Sequence, residues 1–164
     1  MNRRTFLTTS IAASAAVLLS GCGFHLRGHS AMPSLPALTL EGDINSTTAQ
    51  QLRARLTQLG TEMRPDAPWR VTLGTPSLLE RRIGSDSRAS REHELVLSTT
   101  LSVQQRQTNA YALNGSNVSV SRTIRVNDDD LLNRETLFNE AERSLARELA
   151  QRIVERLVNI KGVE

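Results

Sequence analysis

The chain has 164 residues and a formal net charge of +3, and 19 of its 20 basic residues are Arg, with Lys161 the single Lys. A length close to ~150 residues points to one domain, and a single cysteine, Cys22, excludes internal disulfides and zinc sites built on several cysteines. The small net charge argues against nonspecific nucleic-acid binding, and five aromatic residues are too few for a base- or sugar-stacking platform.

Met1 to Arg4 is a short basic segment. Phe6 to Leu19 is apolar, yet too short and too rich in Ser, Thr and Ala to span a bilayer, which marks an export signal. It ends in Leu19-Ser20-Gly21-Cys22, the bacterial lipobox pattern of a bulky aliphatic, two small residues and a cysteine. The thiol takes a diacylglycerol as a thioether, cleavage before it frees an amino group, and that group is acylated in turn. Each buried methylene contributes about 0.8 kcal/mol, so two or three acyl chains hold where one would not. Residues 1–21 are therefore expected to be removed and Cys22 to carry the lipid. Gly23 stands where Asp would signal inner-membrane retention, so the expected location is the periplasmic side of the outer membrane. Arg3-Arg4-Thr5-Phe6-Leu7 also fits the twin-arginine export core, and two arginines equally supply the charge of an ordinary signal.

Removing 21 of 164 residues leaves 143, enough to bury a proper core. In that part 18 basic residues face 17 acidic ones. Arg forks bind phosphate and carboxylate bidentately, which Lys cannot. A GC-rich genome produces the same preference for Arg.

Residues 22–36 contain Gly, His, Ser and Pro and read as a lipidated tether, and 37–160 as a single domain. Leu38-Thr39-Leu40 alternates as a first strand, and Ser46 or Thr47 can cap the helix that carries Leu52, Leu56 and Leu59, with Gly60 placed to end it. Trp69, Val71 and Leu73 give a half-buried strand, after which Pro76 suggests an edge or a bulge. Residues 81–92 hold four arginines and read as a loop. Leu95, Leu97, Thr99, Leu101 and Val103 make the clearest strand. The return strand carries Tyr111 and Leu113, then Val118, Val120, Ile124 and Val126, so a bulge near Gly115 is expected to switch its inward face. A long helix closes the chain, with Asn133 as its N-cap and a stripe of Leu137, Ala141, Leu145, Leu149, Ile153 and Leu157. The expected fold is α+β: a two-layer sandwich of about four mostly antiparallel strands packed by two helices, in the order strand-helix-strand-strand-strand-helix.

Residues that carry chemistry are sparse. His25 and His29 are four apart, but in a tether they do not share a helical face. His93 opens a strand with no nucleophile motif nearby, and Asp128 to Asp130 lack the spacing of a calcium loop. No Gly-rich phosphate loop occurs. The expectation is a protein that is not an enzyme and holds no metal or cofactor besides the lipid on Cys22.

Gly21-Cys22-Gly23-Phe24-His25-Leu26-Arg27-Gly28 resembles the G-C-G-[FW]-x-L-R-G signature that opens mature LptE-type lipopolysaccharide-assembly lipoproteins. Length and element order are similar as well, so the resemblance covers nearly the whole chain. This chain ends at Glu164, without the long polar C-terminal tail of some members. The resemblance implies an outer-membrane lipoprotein that plugs a large LptD-type β-barrel and binds lipopolysaccharide during insertion into the outer leaflet. Lipopolysaccharide offers phosphates and carboxylates, and Arg82, Arg88 and Arg91 on the polar loop and Arg134 at the start of the last helix are the candidate contacts. Solvated loop charges are the competing reading of those arginines. The polar residues Ser98, Thr100 and Ser102, beside Asn117, Ser119 and Ser121, suit a wet barrel lumen and suit plain solvent equally. A free-standing periplasmic-facing lipoprotein that binds a peptide or lipid, or braces another envelope complex, is the alternative function; an envelope hydrolase is a distant third.

Overall fold

The computed structural model describes residues 35–84, 90–127 and 130–160. Cys22, the tether up to Ser34, His25, His29, Arg88, Asp128 and Asp129 lie outside these residues. The elements are β1 (Leu38–Gly42), α1 (Thr47–Gln58), β2 (Trp69–Leu73), β3 (Ser77–Ile83), β4 (Ser90–Gln105), β5 (Tyr111–Asn127) and α2 (Leu131–Val158). The expected α+β class holds, with a mixed sheet of five strands packed by two helices.

The extra strand is β3. It covers Arg81, Arg82 and Ile83, which read as loop in the sequence, and β4 begins at Ser90 rather than after Glu92. All seven β3 side chains are exposed, because the strand lies at a sheet edge. An edge strand rich in charge carries no inward-outward alternation to distinguish it from a loop. β2 and β3 lie end to end on one edge of β4: Trp69–Leu73 face Gln105–Leu101, and Ser77–Ile83 face Ser98–Glu92. The three residues Gly74, Thr75 and Pro76 stand opposite only Thr99 and Thr100. They form the irregularity foreshadowed by Pro76. Gly74 N–H donates to the Thr100 carbonyl (2.9 Å), and the buried Thr99 hydroxyl donates to the Gly74 carbonyl (2.7 Å). A Cβ on Gly74 would collide with the Thr100 hydroxyl.

β5 covers the other edge of β4 from Ser90 to Gln104. Its register shifts around Ser102, which faces both Asn114 and Gly115. Gly115 takes φ +57° and its N–H donates to the Ser102 hydroxyl (2.9 Å). This is the expected bulge, and beyond it Val118, Val120 and Val126 are buried. β1 pairs with β2 in parallel, so α1 is the crossover that such a pair requires.

Both helices cover one face of the sheet. Ser46 caps α1, its hydroxyl accepting from Ala49 N–H (3.3 Å), and Gly60 follows its end with φ +73°. Asp130, not Asn133, caps α2: its carboxylate accepts from Asn133 N–H (3.2 Å). A carboxylate at that position faces the positive end of the helix dipole, which an amide does not exploit. From α2, Leu145, Leu149, Ile153 and Leu157 meet Leu95, Leu97, Leu101 and Val103 of β4 and Leu52 and Leu56 of α1 in one core. The opposite face of the sheet carries Ser98, Thr100, Ser102, Asn117, Ser119, Ser121 and Thr123, and no helix among the described residues packs on it.

Two substitutions test this packing. Leu149 is fully buried at mid-helix. Leu149→Asp leaves a carboxylate without a partner there, at a cost of several kcal/mol against a total stability of about 5–15 kcal/mol. Thermal melts should show the domain largely unfolded at ordinary temperature, and an unchanged midpoint would refute the buried face. Gly42 has φ +87°, and a Cβ there falls on the Leu73 carbonyl oxygen. Gly42→Ala should lower stability by about 2 kcal/mol or more in urea titrations. A loss under half of that would contradict the close approach of β1 to β2.

Candidate ligand-binding end

At one end of the molecule β3, β4 and the first turns of α2 converge. His93 belongs to the same inward parity as Leu95, Leu97 and Leu101, and it is fully buried. Its Nδ1 lies 2.7 Å from Oε1 of Glu80, so the ring N–H donates to the carboxylate. Glu80 comes from β3, one diagonal step across the ladder from His93. Phe138 closes the pocket with its ring 5.5 Å from the imidazole and tilted at 77°. Arg134 lies over the other side of Phe138, 4.9 Å from the ring centre, and its guanidinium reaches Glu80 at 3.5 Å. Glu80 thus ties the edge strand to the core of the sheet through His93 and to α2 through Arg134.

Of the arginines singled out in the sequence, Arg82, Arg91 and Arg134 lie around this cluster on three different elements, and Arg88 lies outside the described residues. Arg82 is exposed on β3 and sits opposite His93 in the ladder. Arg91 is on β4, two residues before His93 on the same face and opposite the buried Val126. Arg134 is one-third exposed and engaged with Glu80 and Phe138, so it anchors α2 as well as presenting charge. The correction for Arg82 and Arg91 has one cause: β3 runs on to Ile83 and β4 already begins at Ser90, so both residues belong to paired strands. Beside them, a depression of about 380 Å³ is lined by Leu131, Arg134, Glu135 and Phe138. Leu131, Leu132 and Ile83 expose apolar surface at this same end. Arginine forks beside apolar surface can hold an anionic headgroup and the start of its hydrocarbon.

The sequence marks His93 only as the opening of a strand with no nucleophile nearby, and it does not mark Glu80 at all. Extending the alternation of Leu95, Leu97 and Thr99 back by one step places His93 inward, so the signal for the histidine was present. For Glu80 none existed, because its strand shows no burial pattern.

No protein-family model matches the chain, and no curated protein matches it in sequence. Solved structures do match. A solution structure of an uncharacterized lipoprotein B from Nitrosomonas europaea superposes with TM-score 0.65 at 15% identity, over 84% of this chain and 91% of that one. The rare lipoprotein B of Shewanella oneidensis gives TM-score 0.61 at 16% identity, over 74% of this chain and 92% of that one. This chain has the lipoprotein B fold. A minor lipoprotein from Acinetobacter baumannii shares it, with TM-score 0.57 at 18% identity over 74% and 91% of the two chains. Lipoprotein B structures are the LptE-type structures, so the fold implied by the Gly21–Gly28 motif is the fold observed. No helix among the described residues is long and apolar enough to cross a membrane.

The cluster generates a stability prediction. His93→Ala removes a buried ring and the shorter of the two contacts to Glu80, which should cost about 2–4 kcal/mol. Arg134→Ala removes a partly exposed ion pair and a stacking contact, and should cost only about 1 kcal/mol. Urea titrations of both variants check the order, and a larger loss for Arg134→Ala would show that the helix contact, not the buried histidine, holds β3 in place.

Proposed function

We propose that this chain is a lipid-anchored outer-membrane lipoprotein that plugs a large LptD-type β-barrel and binds lipopolysaccharide during its insertion into the outer leaflet. The lipoprotein B fold carries this reading, and the acceptor-cysteine motif at Gly21–Gly28 supports it. Cys22 holds the diacylglycerol and the N-acyl chain. The chain acts by occupying a lumen and binding a ligand, not by catalysis.

The two faces of the sheet fit a plug. One is dry and covered by helices. The other offers hydroxyls and an amide at its centre, with the ion pairs Arg125–Glu92 (2.7 Å) and Arg81–Glu94 (3.6 Å) toward one end. Hydroxyl groups donate and accept, so such a face exchanges water for the polar lining of a barrel at small cost. Arg82, Arg88 and Arg91 supply the contacts to phosphate and carboxylate, with Arg134 joining them at the start of α2.

Purification in mild detergent tests the reading. The expected result is a chain that has lost residues 1–21, carries acyl mass on Cys22, and brings down one very large β-barrel at equal stoichiometry. A free lipoprotein without the barrel would favour the stand-alone alternative. In a binding titration, Arg82→Ala/Arg88→Ala/Arg91→Ala should weaken lipopolysaccharide binding at least tenfold, because each charge-assisted hydrogen bond contributes roughly 1.5–3 kcal/mol. Unchanged binding at low and physiological salt would make those arginines solvated charges.

A further inference from the structure

On the side of α2 away from Glu80, the helix and the edge strand β5 leave a groove of about 510 Å³. Ile124, Leu137 and Ala141 give it an apolar lining, and Arg122, Arg143 and Arg147 surround that lining together with Glu140. Arg122 comes from the helix-facing side of β5, opposite Leu95. Arg143 and Arg147 are one turn apart and rise from the same side of α2.

Several other arginines have work to do within the fold, although Arg53 and Arg82 do not. Arg152 and Arg156 donate from α2 to the Ser119 carbonyl and the Ser116 hydroxyl of β5, and Arg70 and Arg125 pair with Glu41 and Glu92. Among the described residues, Arg122, Arg143 and Arg147 have neither a hydrogen-bond nor an ion-pair partner. Like charges one turn apart destabilise a helix, so Arg143 and Arg147 favour an anion between them. Three guanidiniums against one carboxylate leave the lining at a formal +2. A phosphate monoester carries about −1.5 to −2 near neutral pH and accepts paired N–H donors from each fork.

We propose that this groove binds the phosphate monoester of an anionic amphiphile, with the phosphate among Arg122, Arg143 and Arg147 and the adjoining methylenes against Ile124 and Leu137. The site is separate from Arg82, Arg88 and Arg91 and does not depend on them. Its apolar lining distinguishes a phosphate borne on hydrocarbon from free phosphate.

Calorimetric titration of the full chain in a neutral detergent tests the groove, with hexyl phosphate as the probe and inorganic phosphate as the second arm. Hexyl phosphate should bind the unaltered chain at least fivefold more tightly than inorganic phosphate, and Arg143→Ala/Arg147→Ala should weaken it at least tenfold. Both side chains are exposed, and circular dichroism confirms that the variant is folded. Arg82→Ala/Arg91→Ala should keep the hexyl phosphate binding that Arg143→Ala/Arg147→Ala removes, which separates this site from the lipopolysaccharide contacts proposed above. Absence of hexyl phosphate binding, equal affinity for the two phosphates, or equal binding by the Arg143/Arg147 variant would overturn the proposal.

Discussion

Strand β4 is hydrogen-bonded on both edges, to β2 and β3 on one side and to β5 on the other, and every other element takes its position from that double pairing. Side chains on a strand alternate with a period of two, so a slip of one residue would turn Leu95, Leu97, Leu101 and Val103 toward solvent and Ser98, Thr100 and Ser102 into the core. Burying those hydroxyls without partners costs far more than any local irregularity. The register is accordingly kept, and irregularities are absorbed elsewhere: at Gly74–Pro76 between β2 and β3, and at Asn114–Gly115 in β5. Helix α2 then has one way to lie, with Leu145, Leu149 and Ile153 on the inward face of β4.

That arrangement decides where charge can gather. The inward face of β4 carries titratable side chains only at its start, where Arg91 and His93 precede Leu95. Buried there, His93 needs an acceptor, and Glu80 of the neighbouring strand supplies it. Glu80 in turn draws Arg134 from α2, and Phe138 packs against both the His93 ring and the Arg134 guanidinium. The cluster cross-links β3, β4 and α2 at the end of the domain that holds Arg82, Arg91 and exposed Ile83, Leu131 and Leu132. Cross-linked elements lower the ordering cost of holding an anion. On the far side of α2, Arg122 of β5 and Arg143 and Arg147 of α2 itself line the groove, so the helix divides two cationic surfaces.

Much of the fold is legible in the residues themselves. β4 and α2 repeat their apolar positions over many residues, at periods of two and near four, and each has a single face to bury. Ser46, Gly60 and Gly115 mark a cap, a helix end and a bulge by their backbone and hydrogen-bonding chemistry, and each does so in the structure. β3 is not legible, since a short edge strand with Glu80, Arg81 and Arg82 is paired through its backbone and buries nothing. Asn133 suits an N-cap by residue type, but Leu131 and Leu132, which are exposed and off the buried stripe, already form the first turn behind Asp130. The candidate arginines were legible as a set by charge alone. Their partners were not, since Glu80–His93 and Glu80–Arg134 join residues 13 and 54 positions apart.

The central claim is that the uncovered hydroxyl face of the sheet lies against the wall of a barrel partner. A photo-crosslinking residue placed at Thr100, Ser119 or Ser121 in living cells tests it most directly, because these side chains stand on that face and outside the core. The account predicts adducts with one very large β-barrel protein from these positions. Folded, lipid-anchored protein that forms no barrel adduct from any of them would contradict it.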